Sequence, residues 1–436
     1  MPSQQLSKSL TPLLLWGLGV GYVISGMYFG WNLGLEKGGT LGMAIATLLI
    51  VIMYVTFTLS YSELACSIPK AGGGFDYASR ALGKDMGFIA GMAQNIEFIF
   101  APPAIAFAIG AYIQLSIPQL PALYTAIGIY IMFTLLNAYG IRTAAVFELI
   151  VTLLAVGELL LFAGLTLPHA EWSHLAHNAL PNGWMGIFPA LPFAIWFFLG
   201  IEGVANVAEE TIRPQRTILI GFSTAIATLV ILCILTFVSS AGVNGWETIV
   251  YNGDGTTTDS PLPLALGKVV GVTHPMYHLL IAIGLFGLVA SFHGLILASG
   301  RATLEFSRMG CAPSFIGRIH TRFQTPASAL LVNMLIGIIA LLTGRTAELI
   351  TLSVFGALTL YILSMVSVIR LRRSEPSLER PFKTPFFPYT PMLALLIAVT
   401  AIAAMFLYNP VQGGIFAGIV LFCFLLYKVF GRQTVK

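Results

Sequence analysis

"GYVISGMYFG", residues 21–30, places three glycines and a serine inside an apolar run long enough to cross a bilayer. Glycine in a helix interior costs roughly 0.5–1 kcal/mol relative to alanine, because its backbone loses more freedom on ordering. A second such stretch, "FFLGIEGVAN" at 197–206, lies in another apolar run five spans later. Because five is odd, a second set of helices would enter the membrane upside down relative to the first. Glycine-interrupted helices at matching positions of inverted repeats point to the binding site of a secondary transporter. Glycine also lets membrane helices pack closely through small residues. The glycines alone leave both readings open.

Working outward, the 436 residues are 57% hydrophobic and only 9% charged, with a mean hydropathy of +0.87. A soluble domain carries about 25% charged residues, so this chain belongs in lipid. A helix needs about 20 apolar residues to cross the hydrocarbon layer. Twelve spans are expected, at 12–35, 41–65, 86–114, 121–139, 144–167, 186–208, 217–242, 275–300, 326–344, 348–369, 389–408 and 411–430. The first is too long for a cleavable signal peptide and lacks a small-residue cleavage site. No soluble domain fits in any connection, the outer loops 168–185 and 243–274 being among the longest, and "NGDGTTTDS" at 252–260 is turn-rich and polar.

Charge gives the expected orientation. With a cytoplasmic N-terminus, all but three of the 22 Lys and Arg fall on the inner side, Lys8, Arg142, Arg432 and Lys436 among them. Only Lys37, Lys268 and Arg345 fall outside. The positive-inside rule then places both termini in the cytoplasm of a multi-pass inner (plasma) membrane protein. The formal charge of +4 is the same signal, so no nucleic-acid partner is needed.

Cys66, Cys233, Cys311 and Cys423 lack metal spacing and suggest no disulfide. His169, His174 and His177 are irregularly spaced in a polar loop, where solvated histidine is the default over a metal site. "KAGGG" (70–74) follows no strand and lacks the ending of a phosphate loop. Neither a cofactor nor a nucleophile–base arrangement stands out, so an enzyme is not expected.

The chemistry lies in the ionisable groups within the spans: Glu97, Glu158, Glu202 and His293, with Glu148 near an inner end where it could reach the interface. A charged group at the bilayer centre costs about 2.5–3.5 kcal/mol on insertion scales, so by default such residues face a cavity and serve a function. No Lys or Arg lies deep in a span. These acids therefore hold protons or await an external cation. Glu97 is followed by Pro102 and Pro103, which remove two backbone donors and release carbonyls near Phe98 and Ile99. That combination suits an ammonium ion, while a protonated acid bonded to a neighbouring helix is the plainer alternative. Glu202 falls at the proposed break of the sixth span, where it serves either coupling or a bond to freed backbone. Trp196 could cap a cation with its ring face or simply pack. Glu158 reads equally as a proton site or a helix–helix bond.

Three stretches carry a resemblance. "YSELACSIPKAGGGFDYASRALG" (61–83), "FFLGIEGVANVAEETIRPQRTI" (197–218) and "ILASGRATLEFSRMGCAPSFIGRIHTRFQTP" (296–326) resemble signatures of amino acid–polyamine–organocation permeases, in the family's order. The resemblance implies an all-α membrane protein with a LeuT-like five-plus-five inverted repeat. Repeat one would cover about 12–167, repeat two about 186–369, and two extra helices about 389–430, all in one transporter domain. It also implies a central site between broken helices one and six, flanked by helices three and eight.

"SGMYFGWN" with "EFIFAPPA" looks most like the ethanolamine permease branch. The family usually reads Gly-Ser-Gly at the first break, where amides bind a substrate carboxylate; here the triplet is Ile24-Ser25-Gly26. The lysine that stands in for sodium in helix five of some members is unmatched, Glu158 being about a turn away. Sodium independence is therefore not inherited from that feature. The expected function is a proton-coupled importer of ethanolamine, a symporter working by alternating access, with a cationic amino acid or polyamine permease as the alternative. The expected substrate site of the ethanolamine reading is Ile24, Ser25, Gly26, Met27, Glu97, Phe98, Trp196, Phe198, Leu199 and Gly200, with Glu202 and Glu158 as candidates for the coupled proton.

Overall fold

The computed structural model describes residues 10–70, 72–139 and 144–430. Of the residues that orient the chain by charge, Lys8, Arg142, Arg432 and Lys436 lie outside these ranges. The architecture is all-helical. Among the described residues, ten helices are long and apolar enough to cross a membrane, and Pro12–Tyr28, Pro261–Val270 and Ala327–Leu341 are shorter apolar segments.

The chain opens with α1 (Pro12–Val23), capped by the Thr11 hydroxyl, and a single turn α2 (Ser25–Tyr28). The expected first span is therefore two pieces, because the chain turns at Ile24 and runs extended at Phe29. The second span starts earlier than expected: α3 (Leu33–Ser67) absorbs the end of the first and kinks at Gly39. Next come α4 (Gly74–Leu82), α5 (Lys84–Ser116), α6 (Ala122–Tyr139) and α7 (Ala144–Thr166). A short α8 (Trp172–Ala176) precedes α9 (Ile187–Trp196), which ends in a turn. Beyond it the chain tightens into a 3-10 segment, Ile201–Glu210.

The remainder is α10 (Pro214–Asn244), α11 (Glu247–Val250), α12 (Pro261–Val270), α13 (Pro275–Arg308), α14 (Ala327–Leu341), α15 (Thr346–Ser374), α16 (Tyr389–Tyr408) and α17 (Pro410–Phe430). The connection 243–274 carries α11 and α12 on either side of the polar stretch 252–260, the latter helix started by Pro261 and Pro263, which suit a first helical turn.

The centre of the bundle is α5, packed along α15 and α13, with α1 against α10 and α7, and α3 against α9. Leu48, Ile231, Leu335 and Leu396 are exposed on outer helix faces, as a lipid-facing surface requires. One end of the bundle gathers cations into ion pairs: Arg372 and Arg380 with Glu63, Arg80 with Glu375, Arg301 with Glu210 and Lys428 with Asp85. At the other end Asn32 donates to the carbonyls of Ile249 and Thr258, tying the break after α2 to the connection above it.

Candidate functional site

The two glycine stretches meet. A side chain at Gly26 would collide with the Trp196 carbonyl oxygen and approach the Phe197 Cα at 3.0 Å, so only glycine lets the α1–α2 break lie against the end of α9. Gly200 takes φ +94°, a left-handed conformation that lets α9 turn into the 3-10 segment. The first break is held by Ser291 of α13. Its Oγ accepts from the Ser25 amide at 2.8 Å and donates to the Gly21 carbonyl at 2.6 Å, so one hydroxyl clasps both sides of the turn. Ile24 and Met27 are fully buried behind it.

Glu97 and Glu202 come together at this junction. Glu97 lies on α5 near the Gly200 amide and within electrostatic reach of Glu202. Both carboxyls are fully buried. The two carboxyls lie close enough to hydrogen-bond one another, with the Gly200 amide beside Glu97. Oε2 of Glu202 accepts from the Tyr361 hydroxyl at 2.8 Å. Tyr361 in turn lies 3.2 Å from the Tyr54 hydroxyl, which reaches the Ile195 carbonyl of α9 at 3.4 Å. Gly356 permits this arrangement: a side chain there would strike the Ala93 carbonyl and approach the Glu97 amide nitrogen at 2.9 Å, so α15 rides directly on α5. Among the described residues, no Lys, Arg or His forms an ion pair with either acid. A buried charge without a partner is costly. Such a site calls for protons or for a cation from outside.

Aromatic groups surround the junction. The Trp196 ring meets Phe29 edge-on at 5.4 Å, and its Nε1 has no partner. Phe198 leans on Tyr54 at 5.2 Å. The end of the Phe98 ring would lie 3.8 Å from a side chain at Gly203, beyond the second break, and Leu199 is buried beside Gly200.

Two expectations need correction. Helix α5 runs without interruption through Pro102 and Pro103, so the prolines do not break the helix beside Glu97, although, having no N–H, they leave the Phe98 and Ile99 carbonyls without intrahelical donors. Neighbouring helices can sustain prolines within a membrane helix. Glu148 does not reach the interface either; it is 1% exposed and faces His293 at 3.4 Å, because α1 and α13 cover that part of α7.

Glu158 stands apart from the Glu97–Glu202 pair. It accepts from the Tyr28 hydroxyl at 2.7 Å, and it borders a cavity of about 10 Å³ with Tyr112 and Leu280. That is room for one water at most. Sequence reading missed Tyr361, Tyr54 and Ser291. Their only signal was a hydroxyl in an apolar span.

Comparison with known proteins agrees with this architecture. The family model described as "Amino acid permease" matches residues 14–432, nearly the whole chain. An uncharacterized transporter of Rhizobium meliloti is 29% identical over 418 residues, covering 92% of this chain and 88% of the relative. A branched-chain amino acid permease of Bacillus subtilis is 26% identical, covering 91% and 88%. A vacuolar cationic amino acid transporter of Arabidopsis thaliana is 25% identical, covering 85% of this chain and 64% of the relative. The chain belongs to the amino acid permease family: it is a multi-pass membrane transporter of small substrates, not an enzyme.

Proposed function

We propose that this member of the amino acid permease family imports a small organic ammonium ion, ethanolamine or a closely related amino alcohol, driven by a proton gradient. The observation that carries the reading is the Glu97–Glu202 pair, two neighbouring buried carboxyls at the meeting of two broken helices with no cationic partner among the described residues. Glu97 takes the ammonium and Trp196 and Phe198 close over it, ring faces toward the charge. Glu202, bonded to Tyr361, carries a proton beside it. Ser25, Gly26 and Met27 line the opposite wall with Ile24, and Phe98, Leu199 and Gly200 complete the pocket. Glu158 is the other acid able to hold a coupled proton.

The first break favours an amino alcohol over an amino acid. The Ser25 amide is already committed to Ser291, and Ile24 stands where an open backbone would have to meet a carboxylate. In this reading α1–α7 and α9–α15 are two inverted repeats, α16 and α17 are additions, and the cation-rich end of the bundle, with both termini, is cytoplasmic. A cationic amino acid or polyamine is the second reading, favoured by the name of the Arabidopsis relative.

Proteoliposome uptake of labelled ethanolamine under an imposed proton gradient is the test. Concentrative uptake that excess glycine or leucine leaves intact is expected. Tight competition by lysine or putrescine moves the assignment to the second reading, and tight competition by glycine overturns both.

A further inference from the structure

We infer that the buried Glu148–His293 pair is a second proton site, which links protonation to the hinge of the broken first helix. The inference rests on the proton-coupled reading above. An acid that binds either a proton or an ammonium exchanges one for the other. Carrying both in the same direction is best served by a second place for a proton, away from the substrate.

The geometry provides that place. His293 Nδ1 lies 3.4 Å from Glu148 Oε2, and neither side chain is more than 2% exposed. Among the described residues Oε1 of Glu148 has no hydrogen-bond partner. Of the seven histidines, His293 alone is buried. The free oxygen is aimed at α1: a side chain at Gly21 would collide with it and would stand 2.7 Å from the Thr152 hydroxyl. Thr152 itself donates to the Gly17 carbonyl at 3.1 Å. On its other side Gly21 presents the carbonyl that Ser291 clasps together with the Ser25 amide. The acid therefore presses on the residue that anchors the break, one turn before it.

The surroundings leave the pair's charge uncompensated. Tyr22 comes from α1, its ring against Gly294 and Gly203. Arg301, two turns further along α13, is engaged by Glu210 of the 3-10 segment at 2.8 Å. Glu202 in that segment is bonded to Tyr361, and α5 brings Glu97 to Glu202 rather than to this pair. From α6 come Phe133, whose ring centre is 6.2 Å from that of His293, and Tyr130. Helix α7 adds Phe147 and, at its other end, Glu158 with Tyr28 of α2. Helix α10 has only Cys233 within its apolar length, α12 only Lys268 in its last turn, and α14 no titratable side chain. Among the described residues no third His, Cys, Asp or Glu completes a metal site. Each proton gained or lost thus changes the charge beside Gly21 by a full unit.

The test uses the full chain in proteoliposomes with labelled ethanolamine and a pH gradient of one unit, acid outside. One proton per substrate then supports about tenfold accumulation. His293→Gln and Glu148→Gln are each expected to lose that accumulation and to flatten the pH profile of ethanolamine exchange. Wild-type accumulation and profile in both variants overturn the inference alone. Wild-type uptake that ignores the proton gradient overturns the coupling reading and this inference with it.

If neither variant folds, nitrogen-15 histidine spectra of the wild-type protein decide. The one histidine shielded from a water-soluble paramagnetic agent must change protonation as the pH is varied, and the change must move when ethanolamine is added. A shielded histidine that keeps one protonation state throughout overturns the inference.

Discussion

Glu63 and Glu97 are both glutamates, and both are at most 2% exposed. Glu63, at the end of α3, accepts from Arg372 Nε at 2.6 Å and Nη2 at 2.7 Å, and from the Thr384 amide at 2.7 Å, with Arg380 at 3.3 Å. Glu97, in the middle of α5, has the Gly200 amide and a second acid for neighbours, and no cation among the described residues. The chain can neutralise a buried carboxylate with its own cations, and does so where it fastens α3 to the end of α15. It gives no cation to the carboxyl that lies between two broken helices. An acid with internal cations is a clasp, whereas an acid without them keeps its capacity for something that comes and goes. Asp259, before α12, lies between these extremes, with the Thr346 hydroxyl at 3.1 Å.

The comparison can be broken by giving the central site a cation of its own. Glu97→Lys should abolish ethanolamine uptake outright while leaving thermal stability at least at the wild-type level, since it would satisfy Glu202. Retained uptake would show that the two acids do not receive the substrate.

The converse change acts on the clasp. Glu63→Gln should cost about 2–3 kcal/mol of stability, somewhat less than the 3–5 of a fully buried pair, because a fifth of the Arg372 side chain is exposed. A fall in melting temperature with ethanolamine affinity preserved separates clasp from site; lost affinity without lost stability would merge them.

Tyr361→Phe should have a smaller effect. It removes the tyrosine hydroxyl's hydrogen bond to Glu202, worth about 1 kcal/mol or roughly fivefold in affinity. Equal affinity in the variant would make Tyr361 a packing group.

A pH-dependent effect concerns Asp259, whose carboxyl burial pushes up to about 6. An aspartic acid that binds its proton more tightly in the folded state loses stability as pH rises through about 4 to 6. Stability should therefore fall over that window in wild type and less so in Asp259→Asn. Parallel melting curves for the two proteins from pH 4 to 7 would contradict this.

Much of this was legible in residue order. The breaks could be read because Gly26 and Gly200 sit in apolar runs where glycine is otherwise costly, and the structure gives each a physical need: close approach at one, positive φ at the other. Glu97 and Glu202 could each be singled out as ionisable groups in lipid-length spans. Their adjacency could not, since it depends on α5 meeting the turn after α9. Tyr361, Tyr54 and Ser291 were invisible for a different reason. A hydroxyl in a membrane helix can bond its own backbone cheaply, as Thr359 does with the Phe355 carbonyl, so its presence in a span signals nothing. The prolines after Glu97 were over-read, because tertiary packing carried the helix through them. Glu148 was placed by its distance from the end of a span, which says nothing of what covers it.

The central claim is that Glu97 supplies the charge for the substrate's ammonium group. Equilibrium binding of labelled ethanolamine to purified wild type and to Glu97→Gln, with folding checked by melting temperature, addresses it most directly. Loss of one partner of a buried ion pair costs about 3–5 kcal/mol, so affinity should fall at least about a hundredfold while the variant stays folded. Wild-type affinity in a folded Glu97→Gln would contradict the account.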